Sequence, residues 1–172
     1  MPDRRDDLTI RNGDGGDADL VLAMFDRAVA WLVSRGQTGQ WGEVPFSRRP
    51  ERVAAAHRWA ESGGLRIAEV AGVPAGAMVV GPPVPYAPPA AEPELYVQAL
   101  VTDRRRAGLG VGRALLDRAR REAEDLGVRL LRVDCWAGAQ ERLVGYYESA
   151  GFVREAPFAV DNWHGMVLAQ RW

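Results

Sequence analysis

The stretch from Leu95 to Leu116 constrains the fold more than any other part of the chain. Leu95 to Val101 reads as a strand. Gly108, Gly110 and Gly112 then alternate along the backbone, just as an amphipathic helix opens. That helix is predicted from about Gly110 to Leu126, with Val111, Leu115, Ala119, Ala123 and Leu126 down one face. Asp117 and Arg121 stand on the other face at the favourable i, i+4 spacing. Glycine lets backbone N–H groups approach a ligand closely and tolerates positive φ. A helix N-terminus adds unpaired donors and about half a positive charge. Together these make an anion site suited to a phosphate or pyrophosphate, with Arg104, Arg105, Arg106 and Arg113 supplying full charges nearby. Three alternating glycines open a helix poorly without a ligand, which favours phosphate binding over a merely flexible helix start.

The other elements assemble around this unit. Leu8–Arg11 alternates as a short strand, Asp17 is placed to cap a helix from about Ala18, and Gly36 stops that helix. Its apolar stripe is Leu20, Met24, Ala28, Trp31 and Leu32. Ser47 is the expected cap of a second helix, with Val53, Ala56, Trp59 and Ala60 inward and Gly63-Gly64 beyond its end. Leu65–Val70 and Ala75–Val80 form a hairpin around Ala71-Gly72-Val73-Pro74. The proline-rich stretch 81–93 must be a loop, because proline fixes φ and donates nothing to a ladder. It reads as a surface connection in preference to a lid. Leu130–Cys135 is a strand, Gln140–Ala150 a helix stopped by Gly151, and Phe152–Val160 and Gly165–Ala169 are the last strands. The order is β-α-α-β-β-β-α-β-α-β-β, an α/β fold in one domain over residues 1–172.

Several ligands and classes drop out. A nucleoside-triphosphate loop requires Gly-Lys-Ser or Gly-Lys-Thr, which the chain lacks. The dinucleotide fingerprint fails where Arg113 replaces glycine. A methyltransferase-like nucleotide site, with Asp134 on the ribose, stays only as a minor alternative, because the first glycine lies too far from the strand and the chain after Asp134 is short for the rest of such a sheet. A net charge of −1 gives no general attraction to nucleic acid or to an anionic membrane, and no apolar run is long enough to span one. The first residues carry no apolar signal region, and the single Cys135 excludes an internal disulfide, so a cytoplasmic protein is expected. His57, His164 and Cys135 do not supply a zinc site, and no metal is expected.

Further along, Gln140-Glu141-Arg142-Leu143-Val144-Gly145-Tyr146-Tyr147-Glu148-Ser149-Ala150-Gly151-Phe152 follows the glycine loop in order, one helix and one strand later. With this second motif the chain resembles the GCN5-related N-acetyltransferase (GNAT) superfamily. The family pattern is Arg/Gln-x-x-Gly-x-Gly/Ala before a Leu-Leu helix, then Asn-x-x-Ala-x-x-x-Tyr-Glu-x-x-Gly-Phe. Arg105-x-x-Gly108-x-Gly110 matches the first part literally. The distance to Leu115-Leu116 favours Gly110 and Gly112, with Ala107 at the arginine position and Arg106 or Arg113 restoring the charge.

The resemblance implies a mixed sheet of about seven strands with four helices, and acyl transfer from acetyl-CoA to an amine, small or peptidic. It implies that Ala107, Gly108, Gly110, Val111 and Gly112, with Arg106 and Arg113, hold the pyrophosphate. The backbone of Leu100, Val101 and Thr102 would bind pantetheine as an added strand, with a backbone N–H there polarising the thioester carbonyl. Gln140, in place of asparagine, keeps an amide for the cofactor. Tyr147 would be the general acid. Gln98 stands where family members often carry a glutamate base; unable to accept a proton, it is left a substrate-binding role. Asp134 is the replacement candidate for the base, directly or through water, and equally a residue to hold an arginine or cap a turn; Glu43 and Asp26 are fallback acids, and an amine that loses its proton to solvent would need no dedicated base. Trp41 lies where acceptor-binding residues are expected, as a stacking residue or an anchor under its loop; Trp136 and Trp163 flank strand ends that could line the same cleft. Dimers are common in this superfamily, so a homodimer is among the expected assemblies. A CoA-binding sensor that has lost turnover is the competing reading, motivated by Gln98.

Overall fold

The computed structural model describes residues 7–172. Its elements are β1 (Leu8–Asn12), α1 (Ala18–Ser34), α2 (Pro50–Glu61), β2 (Leu65–Val70), β3 (Val73–Gly81), β4 (Leu95–Thr102), α3 (Val111–Asp125), β5 (Leu130–Trp136), α4 (Arg142–Ser149), β6 (Val153–Val160) and β7 (Trp163–Arg171). This is the predicted order. The strands form one seven-stranded mixed sheet, β1-β2-β3-β4-β5-β7-β6. β4 and β5 run parallel, and the chain between them carries α3, as a parallel connection requires. Two compact units share the chain: residues up to Val79 with Ala99–Leu115, and Val80–Gln98 with Leu116–Trp172.

In the first unit, α1 and α2 bury their apolar sides with β2 and β3. The buried stripe of α1 is wider than one row of the helix. Met24, Ala28 and Leu32 are buried as predicted, Val21, Phe25 and Val29 join them, and Leu20 and Trp31 stay at the half-buried margin. Phe25 stacks on Phe46 at 4.6 Å, and Trp41 and Trp59 close around it at 5.1 and 5.8 Å.

Both predicted helix caps are corrected. The Asp17 carboxylate does not cap α1; it binds the Arg11 guanidinium at 2.9 and 3.0 Å and accepts the Asp14 N–H at 3.0 Å. The capping side chain belongs to Asp14, which accepts from Gly16 and opens a 3-10 turn, Gly15–Asp17. Ser47 lies inside another 3-10 turn, Phe46–Arg48, where its N–H donates to Asp26 Oδ1 at 3.0 Å. The start of α2 is set by Pro50 at the first helical position, where a missing N–H costs nothing.

The β2–β3 turn is tighter than predicted. Ala71 and Gly72 have φ of +51° and +76°, the two-residue turn that matches strand twist. Val73 and Pro74 therefore belong to β3. The register then slips between Ala68 and Glu69, freeing the Ala75 carbonyl to accept the Asp103 N–H at 2.8 Å.

In the second unit, β5, β7 and β6 pair antiparallel along their lengths. Arg132 lies within it, its side chain only 2% exposed and that of Glu94 7%. It donates to both Glu94 oxygens, to Glu155 at 3.2 Å and to the Pro88 carbonyl at 2.9 Å. Arg171 bridges Glu92 and Glu155 at 2.7 Å each. The proline-rich segment is thus fastened at Pro88 and Glu92, and just beyond its end at Glu94.

Two helix ends also differ from expectation. Leu126 is 67% exposed because α3 stops at Asp125 and Gly127 turns the chain at φ +73°. Ion pairs along α3 join Arg118 to Glu122 and Arg120 to Glu124. Gln140 is not helical: Ala139, Gln140 and Glu141 have φ of +51°, +59° and +60°, a left-handed turn before α4. Residue types there carry no glycine signal, so hydrophobic periodicity alone extends the helix through it.

Glu94→Gln leaves the buried Arg132 charge undercompensated, and about 3 kcal/mol of stability should be lost. Urea unfolding reads this directly; an unchanged midpoint would show that Glu155 neutralises Arg132 alone.

Candidate functional site

Just after β4, Asp103 organises the glycine loop. It is buried, accepts the Arg105 N–H at 2.9 Å and the Arg105 guanidinium at 2.7 Å, and lies 3.7 Å from Arg27. These arginines hold its carboxyl below the usual range, the bond from Arg105 contributing most. The result is a 3-10 turn, Arg104–Arg106, that leads into the glycines. Two of the predicted phosphate-binding charges are thereby engaged elsewhere. Arg105 is held by Asp103, and Arg104 lies over the Trp31 ring at 3.7 Å, with Arg35 on the same ring at 4.6 Å. Arg106 makes no side-chain ion pair among the described residues, and Arg113 is exposed in the first turn of α3.

Gly108 and Gly110 have φ of +83° and +76°, a conformation that disfavours any side chain. A Cβ at either would meet nothing within 4 Å, so this side of the loop is open. Gly112 is buried as the second residue of α3. The Gly110 carbonyl accepts from Ala114 N–H at 2.9 Å, so the donors of Val111, Gly112 and Arg113 precede the first rung of the helix. An open glycine cradle at the start of a helix fits a phosphate-bearing cofactor. Gly76 of β3, which sequence reasoning missed, makes room beneath: its Cβ would lie 2.7 Å from Val111 and 3.1 Å from the Val101 carbonyl. An isolated glycine inside a strand was the available signal.

The β4–β5 ladder runs from Leu95–Leu131 to Val97–Val133. Leu100, Val101 and Thr102 lie beyond it; Val101 is buried and its two neighbours half-buried. Trp41, with its ring against Phe25 and Phe46, is placed as an anchor under its loop.

In the second unit, Asp134 and Tyr96 form a pair. Tyr96 is fully buried and its hydroxyl donates to Asp134 Oδ2 at 2.6 Å. Burial pushes the Asp134 carboxyl above the usual range, while the Tyr96 bond and the Arg132 charge oppose this. Burial and the adjacent carboxylate raise the Tyr96 phenol far above its ordinary value, so it stays a donor. Tyr96 was not singled out from sequence, where it reads as one more apolar strand residue. Gln98 donates its amide to the Pro82 carbonyl at 2.8 Å, holding the start of the proline-rich segment. Cys135 is buried, and its thiol is pushed up to about 12, chiefly by burial, so it is no nucleophile.

Tyr147 on α4 has its ring against Phe152 and Tyr146, 6% exposed. Its hydroxyl has no hydrogen-bond partner among the described residues, yet no buried side-chain polar atom is orphaned. The ring is therefore buried while the hydroxyl reaches accessible surface. Burial holds its proton far more tightly than usual. Gln140 is exposed in the left-handed turn preceding α4.

These features meet those of known proteins. The acetyltransferase (GNAT) family model matches residues 27–152, and the chain belongs to that family of acyl-CoA-dependent acetyltransferases. The fold is similar to a GNAT acetyltransferase from Listeria monocytogenes, at 19% identity and a TM-score of 0.74, over 96% of this chain and 95% of that one. It is similar to yncA of Salmonella typhimurium, solved with its cofactor acetyl-CoA, at 16% identity and a TM-score of 0.64, over 96% and 94%. A third similar structure is the ribosomal-protein-alanine N-acetyltransferase of Brucella melitensis, at 19% identity and a TM-score of 0.67, over 95% and 99%. No curated protein matches the chain in sequence.

A carboxyl whose folded pKa is raised destabilises the fold progressively as pH climbs from its unfolded value, about 3.9, through the folded one. Asp134→Asn removes that charge and keeps an acceptor for Tyr96. The variant should melt at or above the wild-type temperature at pH 7, with the difference vanishing below about pH 4. A lower melting temperature at pH 7 would contradict this balance.

Proposed function

We propose that the protein is an N-acetyltransferase that moves an acetyl group from acetyl-CoA to a primary amine by direct attack. The observation that carries this reading is the Tyr147 hydroxyl, unpartnered and accessible on a buried ring. Acetyl-CoA, when bound, supplies an activated thioester. Gly108, Gly110, Val111 and Gly112 would hold its pyrophosphate through backbone donors, with Arg106 and Arg113 adding charge and Ala107 in the arginine position. Leu100, Val101 and Thr102 would bond the pantetheine arm, and Gln140 would add its amide. Tyr147 retains its phenolic proton at working pH and can release it to a departing thiolate. Asp134, held by Tyr96, would take the proton of the attacking amine, directly or through water, with Gln98 and Trp41 on the acceptor side. The reaction would proceed in one acyltransferase domain, in the cytoplasm.

A CoA-binding sensor is the second reading. It is favoured by Gln98, which carries no titratable group and is tied to Pro82.

Acetyl-CoA and CoA should raise the melting temperature of the wild type, and S-adenosylmethionine and NAD should not; Gly110→Glu/Gly112→Glu should abolish the shift. No response to CoA would remove the acyltransferase reading. Tyr147→Phe should lower kcat about a hundredfold with little change in acetyl-CoA affinity. CoA binding without turnover of any amine would instead favour the sensor.

A further inference from the structure

Residues directly opposite on paired strands share a face of the sheet. Trp136 pairs with Gly165 and Gly165 with Phe158, forming one row; Asp134, Val167 and Ala156 form the next, on the same face. Gly165 leaves room in that row. A Cβ there would lie 2.5 Å from the Phe158 ring and 2.6 Å from that of Trp163, so both rings fold over it. Phe158 is 5.9 Å from Trp163 and stacked on Tyr86 at 5.8 Å. Tyr86, from the proline-rich segment, lies near enough to Tyr96 to disfavour its ionisation. Tyr86 is 47% exposed and the other two rings are half-buried. Three partly exposed aromatic rings thus form a continuous wall one pleat from the Asp134–Tyr96 pair. Clusters of this kind on a soluble surface mark binding sites.

Charge narrows what the wall can recognise. Glu92, Glu94 and Glu155 are each bonded to Arg132 or Arg171. Arg132 is bonded through all three of its nitrogens, and Arg171 through two. Asp134 is held by a neutral hydroxyl. Among the described residues of these strand rows, Asp134 is the one carboxylate without a bonded cation, and it lies beside an aromatic wall. Tyr86 stacks on Phe158 and Trp163 is tilted 46° to it, a row of rings instead of a closed cage, which suits an aromatic body better than a second ammonium.

We infer that the acceptor is an arylalkylamine, its aromatic body on Tyr86, Phe158 and Trp163 and its amine toward Asp134. This rests on the acetyltransferase reading. An acceptor carrying a carboxylate finds its natural partners, Arg132 and Arg171, already occupied. A polyamine brings a second charge to strand rows whose other carboxylates are already held by arginines.

The test compares kcat/KM at saturating acetyl-CoA for 2-phenylethylamine, tryptamine, spermidine and alanine, with calorimetric binding of 2-phenylethylamine measured in parallel. Phe158→Leu keeps apolar volume but removes the ring face; Trp163→Phe is a milder second variant should the first fail to fold. The two arylalkylamines should be preferred, and Phe158→Leu should raise KM for 2-phenylethylamine about tenfold with kcat nearly unchanged. Preference for spermidine or alanine, or a KM unmoved in both variants, would overturn the inference. If no amine is acetylated but 2-phenylethylamine binds and Phe158→Leu weakens it, the aryl site stands and the acetyltransferase reading falls. Absence of both binding and turnover would overturn the inference.

Discussion

Parallel pairing of β4 with β5 is the constraint on which the rest of this structure depends. Parallel neighbours need a crossover, and here the crossover begins with the Asp103 turn and the glycine loop and continues as α3. The same pairing sets Tyr96 opposite Arg132, so the next outward residue of β5 on that face, Asp134, comes within reach of the Tyr96 hydroxyl. One short ladder therefore sets the half-buried Asp134 beside Tyr96.

Burial then divides the labour among the polar groups. Arg132 is buried with two carboxylates and a carbonyl, which makes it a fastening for the proline-rich segment and removes it from chemistry. Asp134 is partly buried, which raises its proton affinity against the Tyr96 bond and the Arg132 charge, and it remains an acceptor. Tyr147 is buried except for its hydroxyl and keeps its proton. Cys135 is buried with its thiol protonated, which silences it. The same desolvation yields a strut, an acceptor, a donor and an inert residue, according to which partners each group finds.

The first unit shows a comparable division around the glycine loop. Asp103 commits Arg105, and Trp31 takes Arg104 on its face, so two of the three consecutive arginines are held by neighbouring side chains. What remains open is backbone, in the left-handed conformation that glycine permits at 108 and 110. Backbone donors are better preorganised than flexible arginines, because their direction is set by the turn and the helix start.

By itself the sequence determined the element order, the glycine loop and the helix that follows it, though with Gly110 and Leu126 wrongly included at its ends, because periodicity and glycine placement are local signals. It also carried the family resemblance, through two motifs of ordered residues. Only the tertiary structure decided which polar groups meet: Arg11 drawing Asp17 away from its cap, Asp26 meeting Ser47, Tyr96 meeting Asp134, and Arg132 closing on Glu94 and Glu155. These partners lie from 6 to 58 residues apart where Arg11 alone is concerned, to Asp17 and Glu69, and no local pattern encodes them. The left-handed turn at Ala139–Glu141 was illegible for a related reason: its residue types prefer other conformations, and the surrounding strand and helix impose it.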